Sequence, residues 1–532
     1  MDTLNLAACQ AAAADWWKTA VIYQIYPRSF QDSDGDGVGD LAGIESRLDY
    51  LCDLGIDAIW LSPVFPSPMA DFGYDVSDYC GIDPVFGTLE DFDRLVASCH
   101  DRGLKLLLDF VPSHSSDRHP WFLESRSSRG NPRRDWYIWR DAKPDGSPPN
   151  NWIGEFGGPS WTWDEATGQY YHNTFLPEQP ALNWQNPELR AAMLEVIRFW
   201  YRRGVDGLRV DAITHVAPDV DKGDNPPNPD WAPHMGPTHS HLQANSKNQP
   251  EGYRIVRLMR QVSDEFPDRV LIGETSGSLG EVMSYYGDAL DLFHLPFNFM
   301  LLRARWDAAE IAGLVETYEA ALPEGGWPNW VLGNHDIGRI ASRAGPAQAR
   351  VAAALLLTLR GTPTLYQGDE LGLENAVIPP AAVQDPWEKR VPGLGLGRDP
   401  ARTPMAWQPG EGAGFSSADP WLPLCLPAEG DAARQSAAPG SILAFIRALL
   451  QLRREEPCLQ IGSYRTRQAG DGLYVFDRSM PEGAVTVCLN FTSRPQATGL
   501  GGEVLLSSDP ARPRGLSSGL VLAPDEAVIL RQ

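Results

Sequence analysis

Residues 20–62 open with AVIYQIY at 20–26, run through the helical stretch LAGIESRLDYLCDL at 41–54, and close with AIWLS at 58–62. Two short apolar, β-rich runs joined by an amphipathic helix make a parallel strand–helix–strand unit, because a parallel pair needs a long crossover. The unit then recurs. Strand-like runs follow at Lys105–Val111, Gly207–Ala212, Val270–Thr275, Trp330–Gly333 and Thr362–Tyr366, with a weaker one at Leu290–Pro296. Helical stretches fall between them at Thr88–Arg102, Pro187–Arg203 and Ala347–Leu359. This alternation predicts an α/β protein built on a (β/α)8 TIM barrel. No GxGxxG follows the first strand, which weighs against a dinucleotide-binding sheet.

Two stretches interrupt the rhythm. Residues 112–183, rich in Trp, Pro and Asn, predict an inserted domain after the third strand; residues 369–441, full of Gly and Pro, predict a loop-rich insertion after the last. A helix at Ile442–Arg454 closes the barrel, which then comprises residues 1–111 and 184–457. From 458 to 532 the pattern turns to alternating strands (Leu473–Arg478, Ala484–Asn490, Gly519–Leu522), predicting a C-terminal antiparallel β-domain.

Composition narrows the function. Across 532 residues, 45 Lys and Arg face 69 Asp and Glu, a net charge of −24 without any basic run. Such a surface repels phosphate backbones and anionic lipid, so neither nucleic acid nor membrane is an expected partner. There is no apolar run of transmembrane length, and MDTLNLAACQAAAADWW at the start lacks the basic and apolar blocks of a secretory signal. Seven scattered cysteines without a CxxC pair fit reduced thiols in a cytoplasmic protein.

Barrel enzymes work at the C-terminal ends of their strands. The fourth strand ends in Arg209-Val210-Asp211, so Arg209 and Asp211, two apart, point the same way into the mouth. A guanidinium beside a carboxylate favours its ionised form, which suits a nucleophile, although Asp211 alone could equally cap the next helix. The fifth strand ends in Glu274 after an apolar run, surroundings in which a carboxyl keeps its proton and serves as an acid. The seventh ends in Asn334-His335-Asp336, and the third in Asp109 with His114 just beyond. Two facing carboxyl groups suit a retaining glycosidase, and Arg209 opposes a metal between them. The insert's Trp and Tyr residues offer faces for sugar rings, although most are expected in its core. Between Asp32 and Asp40, acids at loop positions 1, 3, 5 and 9 with Gly at 6 have calcium-loop spacing. Position 12 is Gly43 rather than Glu, so an EF-hand is not expected.

Taken together, GLRVD at 207–211, Gly273-Glu274, NHD at 334–336 and Asp109 with His114 resemble the α-amylase superfamily, glycoside hydrolase family 13. The similarity runs from VIYQIYPRSF at 21–30 to the closing β-domain; QPALN at 179–183 resembles the α-glucosidase and oligo-1,6-glucosidase branch. The resemblance implies that Asp211 is the nucleophile, Glu274 the general acid and base, and Asp336 the transition-state stabiliser. It implies that His114 and His335 hydrogen-bond the same sugar ring, that Arg209 orients Asp211, and that Tyr74 stacks under the glucose. Phe175 would be a further apolar wall, and Asp71 with Arg402, in GRDPARTPMAW at 397–407, the pair that closes the pocket behind the terminal glucose. Asp32, Asp34, Asp36, Val38 and Asp40 would hold structural Ca2+, with Mg2+ as the alternative ion. Ala212 resembles α-1,4-acting members, since members specific for α-1,6 links carry Val there. Ser113 stands where most relatives have Asn, so an amylase-type calcium site between barrel and insert is not implied.

The expected protein is a retaining exo-acting α-glucosidase, monomer or homodimer, releasing glucose from small α-glucosides such as maltose, or sucrose, with transglucosylation as a side activity. Sucrose isomerase, glucosyltransferase and oligo-1,6-glucosidase are the alternatives within the family. An inactive transporter-associated homologue would lack the acids and carry a span. The polar, Pro-rich stretch 219–248 matches no motif; by position it overhangs the pocket and would favour short substrates.

Overall fold

The computed structural model describes residues 15–531, so most of the N-terminal segment weighed as a leader, with Cys9, lies outside the described residues. Eight parallel strands close a barrel: β1 (Ile22–Ile25), β2 (Ala58–Leu61), β3 (Lys105–Phe110) and, after three short strands β4 (Trp139–Arg140), β5 (Trp161–Asp164) and β6 (Gln169–His172), β7 (Gly207–Val210), β8 (Val270–Gly273), β9 (Leu295–Asn298), β10 (Asn329–Val331) and β11 (Thr362–Tyr366). β1 pairs with both β2 and β11, which completes the ring.

Alternation along each strand sorts the side chains. Ile22, Ala58, Leu107, Val270, Ile272, Leu295, Phe297 and Val331 share one interior cluster with Trp60. Their neighbours Tyr23, Ile59, Leu108, Leu208, Val210 and Leu271 join the outer cluster packed by the helices. Gly207 sits low in β7 because a Cβ there would come within 2.4 Å of Val270 Cγ1 and 2.6 Å of Leu107 Cδ2. Above this apolar plug the inward positions turn polar (Gln24, Asp109, Arg209), and all three are buried. The barrel is therefore dry below and charged at its mouth.

Three expectations shift. The helix expected at Leu41–Leu54 is two, Leu41–Ser46 and Leu48–Leu54. The break is Arg47 (φ −108°, ψ 5°), whose guanidinium leaves to bond Gln31 and to lie over the Trp407 ring. The weak strand at Leu290–Pro296 forms as β9, later in sequence, because Leu290 takes φ +55° and Leu292 and Phe293 first bond back to Tyr286 and Tyr285. Of Gly519–Leu522 only two residues are strand.

β4, β6 and β5 form an antiparallel sheet within the insert between β3 and β7. After the closing helix Ile442–Glu455 come β12 (Ser463–Gly470), β13 (Leu473–Met480), β14 (Gly483–Asn490), β15 (Gln496–Ala497), β16 (Gly501–Ser507), β17 (Gly515–Ser518), β18 (Val521–Leu522) and β19 (Ala527–Arg531). Six of these make an antiparallel sheet ordered β12-β13-β14-β19-β16-β17, and β15 pairs with β18. Among the described residues no helix is long and apolar enough to cross a membrane.

Candidate active site

Arg209 organises the barrel mouth. Its Nη1 donates to Asp109 Oδ1 and to Asp211 Oδ1, both at 2.8 Å, and its Nη2 lies 2.9 Å from Glu274 Oε2. Backbone bonds from Asp211 N to Phe110 O and from Glu274 N to Val210 O hold both acids just beyond their strands. The two acids at 211 and 274 therefore face one cation from adjacent strands. Glu274 Oε2 also accepts from Ala212 N at 2.8 Å, which leaves Oε1 as the oxygen able to carry a proton into the cavity. Ala212 takes a left-handed conformation (φ +43°, ψ 33°) to aim that N–H.

Arg209 was expected to keep Asp211 ionised by itself. The structure gives it three carboxylates to serve. Burial pushes Asp211 well above the usual carboxylate range against the pull of Arg209, with Glu274 and Asp109 adding to the rise. Burial likewise lifts Asp109 to about 6. With one cation serving the cluster, Asp109 and Asp211 titrate as a linked pair.

Asp336 behaves oppositely. Burial raises it, but His335, Arg398 and Arg402 together hold it well below the ordinary range. Its Oδ1 accepts from Arg402 Nη2 at 2.8 Å, and Asn334 Oδ1 accepts from Asp336 N and Ile337 N, fixing the turn. His335 is lowered to about 3, chiefly by burial, so it is neutral. Gln24 Nε2 donates to its Nδ1 (2.7 Å), its Nε2 meets Tyr74 OH (2.7 Å), and Tyr74 donates to Asp109 (3.2 Å). The Tyr74 and His335 rings stack within 2° of parallel. His114, lowered to about 4 by burial, is held by Ser113 Oγ and by Tyr74 O.

One expected pair is replaced. Asp71 is met by Arg398 (Nη2 to Oδ1, 2.6 Å), and not by Arg402, whose Nε goes to His335 O. The short turn Asp399–Ala401 separates the two arginines and sends the first to Asp71 and Asp385, with a longer reach to Asp336 (3.4 Å), and the second to Asp336 (2.8 Å). Arg398 lay within GRDPART, the one visible sign of it. Asp71, Tyr74, His114, Asp211, Ala212, Glu274, His335, Asp336 and Arg398 line a cavity of about 190 Å³, with Arg209 and Arg402 buried behind it; it also takes in Phe175, Phe156, Trp387, Glu155, His215, Lys247, Phe299 and Arg303. Apart from Phe175, those wall residues come from segments without a motif, loops and short helices such as Pro386–Arg390 and Met300–Arg303. The Trp and Tyr residues of the insert stay out of it; Trp136, Trp139, Trp152, Trp161 and Tyr171 are buried instead.

In the loop after β1, carboxylate oxygens of Asp32, Asp34 and Asp40 come within 4.8 Å of one another. An all-oxygen set of this kind fits a hard cation. Asp36 stands apart from this trio, its carboxylate accepting from Val38 N instead. Asp32 also accepts from Gly35 N, Gly37 N and Ser416 Oγ.

A barrel whose mouth holds adjacent strand-end acids over a sugar-sized cavity defines a glycoside-cleaving enzyme. Residues 24–462 match the model of the alpha-amylase catalytic domain. The chain is 45% identical to a probable alpha-glucosidase of Rhizobium meliloti (strain 1021), covering 87% of each. It superposes on the alpha-glucosyl transfer enzyme XgtA with a TM-score of 0.91 at 42% identity, covering 97% of this chain and 99% of that one. The trehalulose synthase MutB from Pseudomonas mesoacidophila MX-45 gives 0.90 at 36%, covering 97% and 99%. The chain belongs to the alpha-amylase family, glycoside hydrolase family 13, and is a glycoside hydrolase of its glucosidase group.

Proposed function

We propose that this enzyme is a retaining, exo-acting α-glucosidase that releases glucose from the non-reducing end of small α-glucosides. The observation that carries the reading is the grip of Arg209 on Asp211 and Glu274 beneath a cavity walled by the Asp71–Arg398 pair. An ion pair at the back leaves room for one terminal glucose and no sugar beyond it. The reacting state of the acid cluster is the one with Asp211 ionised and a proton on Glu274: Asp211 attacks the anomeric carbon as Glu274 protonates the departing oxygen. Glu274 then takes a proton from water, which displaces the glucosyl group from Asp211. Asp336, kept ionised, accepts hydrogen bonds from ring hydroxyls, while neutral His114 and His335 bond the same ring. A hydroxyl other than that of water can intercept the ester, so transfer accompanies hydrolysis.

The α-1,4 preference rests on the resemblance of Ala212 to α-1,4-acting members; at φ +43° a β-branched residue would be strained and would disturb the N–H given to Glu274. The calcium reading rests on the Asp32–Asp34–Asp40 trio, where Ca2+ would brace the loop without touching substrate. Six free cysteines among the described residues fit the cytoplasm. The second reading, a sucrose-converting isomerase or glucosyltransferase, is favoured by the likeness to XgtA and MutB.

Proton NMR of the first anomer released from maltose, isomaltose and sucrose tests the reading. It predicts α-glucose first, with free fructose from sucrose; β-glucose would reject retention, and a rearranged disaccharide would favour the second reading. Asp211→Asn and Glu274→Gln should each abolish turnover at an unchanged melting temperature, and residual turnover near wild type in either would reject the assignment.

A further inference from the structure

The chain has six lysines. Four are neutralised: Lys18 by Asp15, Lys105 by Asp206, Lys143 by Asp224 and Lys222 by Asp219. The two that lack an ion pair among the described residues are Lys247, which is at the cavity, and Lys389, which is exposed and does not line it. Lys389 follows Trp387 and Glu388 in the helix Pro386–Arg390, and Trp387 lines the cavity. Arg303, at the end of the helix Met300–Arg303, also lines the cavity and has neither an ion pair nor a side-chain hydrogen bond among the described residues. In a chain of net charge −24, acids to neutralise these cations are plentiful. Cations left free at a cavity mouth are complementary to charge that a ligand brings.

Their position says which part of the ligand. The Asp71–Arg398 pair closes one end of the cavity, with Asp211, Glu274 and Asp336 on its floor. Lys247 and Arg303 lie with Ser276, Phe299 and Glu155 on the remaining wall, where a leaving group must sit. Glu155 is the acid on that wall, and it is already held by Gln243 Nε2 (2.5 Å), with His215 Nε2 at 3.4 Å. His215 and His239 face the same region, and burial lowers both, so neither adds charge near neutral pH. Lys247 and Arg303 are the cations of that wall without an ion pair among the described residues, and Glu155 beside them, with Glu281 in electrostatic reach of Lys247, suits them to a monoanion better than to a dianion.

Building on the glucosidase reading, we propose that the leaving-group side of this site takes an aglycone bearing a single carboxylate, a sugar acid or similar hydroxy acid, held between Lys247 and Arg303. The test compares kcat/KM of the full chain on maltobionate (glucose α-linked to gluconate) and on maltitol, its uncharged counterpart with the same glucosidic bond. Maltobionate should be preferred by about tenfold at low salt, the worth of one charge-assisted hydrogen bond, with the preference shrinking as salt rises. Lys247→Met and Arg303→Met should each reduce that ratio severalfold, and Lys247→Arg should retain it. A wild-type ratio at or below one, or a ratio that ignores both Met variants, overturns the proposal while leaving the glucosidase reading intact. If maltobionate, maltitol and maltose all stay uncleaved, both fall.

Discussion

Arg398 and Arg402 stand four residues apart and both reach Asp336, but only Arg398 bonds Asp71 and Asp385, and that division governs what each substitution does. Arg398 neutralises two buried carboxylates, Asp71 and Asp385. Removing one partner of a buried ion pair costs about 3–5 kcal/mol because the other charge is stranded. Arg398→Ala should therefore lower stability by about that amount in urea unfolding. Arg398→Lys keeps the charge but loses the planar fork, so it should fold and show its defect in KM for maltose. Arg402 makes the shorter bond to Asp336, 2.8 Å against 3.4 Å from Arg398, and touches neither Asp71 nor Asp385, so Arg402→Lys should depress kcat more than it raises KM. Equal KM and kcat effects in the two Lys variants would contradict this division. The left-handed Ala212 obeys the same residue-scale logic: Ala212→Val should shift the maltose-to-isomaltose rate ratio toward α-1,6 links, and an unchanged ratio would argue against that role.

Elements carry two further predictions. The loop after β1 is tied to the long segment that follows β11: Asp32 N donates to Phe415 O, Trp421 N to Gly37 O, and Ser416 Oγ to Asp32. Removing a cation from this loop would loosen the segment that carries Arg398 and Arg402 only indirectly. Chelation should thus lower the melting temperature more than it lowers activity measured at 25 °C; a melting temperature indifferent to chelator would make the loop a plain turn. At the join of β8 and β9, Leu271 N donates to His294 Nδ1 (3.0 Å), and His294 is lowered to about 3, first by burial. Its folded pKa is below its unfolded one, so its share of stability is full above the unfolded pKa and drains as pH falls. Between pH 6.5 and pH 5 the drain amounts to about 2 kcal/mol. The stability gap between wild type and His294→Gln should narrow by about that much over this window, by denaturant unfolding at each pH. A gap constant with pH would mean that His294 titrates in the fold as it does in the unfolded chain.

For the whole molecule, the joint between barrel and C-terminal sheet rests on two buried arginines. Arg453 donates to Leu357 O, Gly361 O and Leu459 O; Arg478 donates to Thr358 O, Leu459 O and Gly462 O. Leu357 and Thr358 end the helix Ala349–Thr358, so the cations sit at the negative pole of that helix while pinning β13 to it. Burial, then Arg453, drives Arg478 well below its usual range, which marks how much those carbonyls must supply to keep it there. Arg478→Met strips several buried carbonyls of their donor and should cost about 3 kcal/mol by calorimetry, with kcat per folded molecule unchanged. Loss of kcat without loss of stability would instead tie the sheet to the active site.

The barrel was legible in the sequence because strand and helix leave periodic apolar traces, and the floor of the site because its acids sit at fixed offsets from those strands. Asp211, Glu274 and Asp336 stand out by their places at strand ends, and their roles come from the combination of motifs that resembles the family. What tertiary structure decided is every partnership made across loops: Arg398 rather than Arg402 for Asp71, three acids sharing Arg209, and Phe156, Trp387, Lys247 and Arg303 as walls. Those partners are tens to hundreds of residues apart and meet only after the barrel closes, and burial, which sets their charge, has no trace in a local stretch of chain.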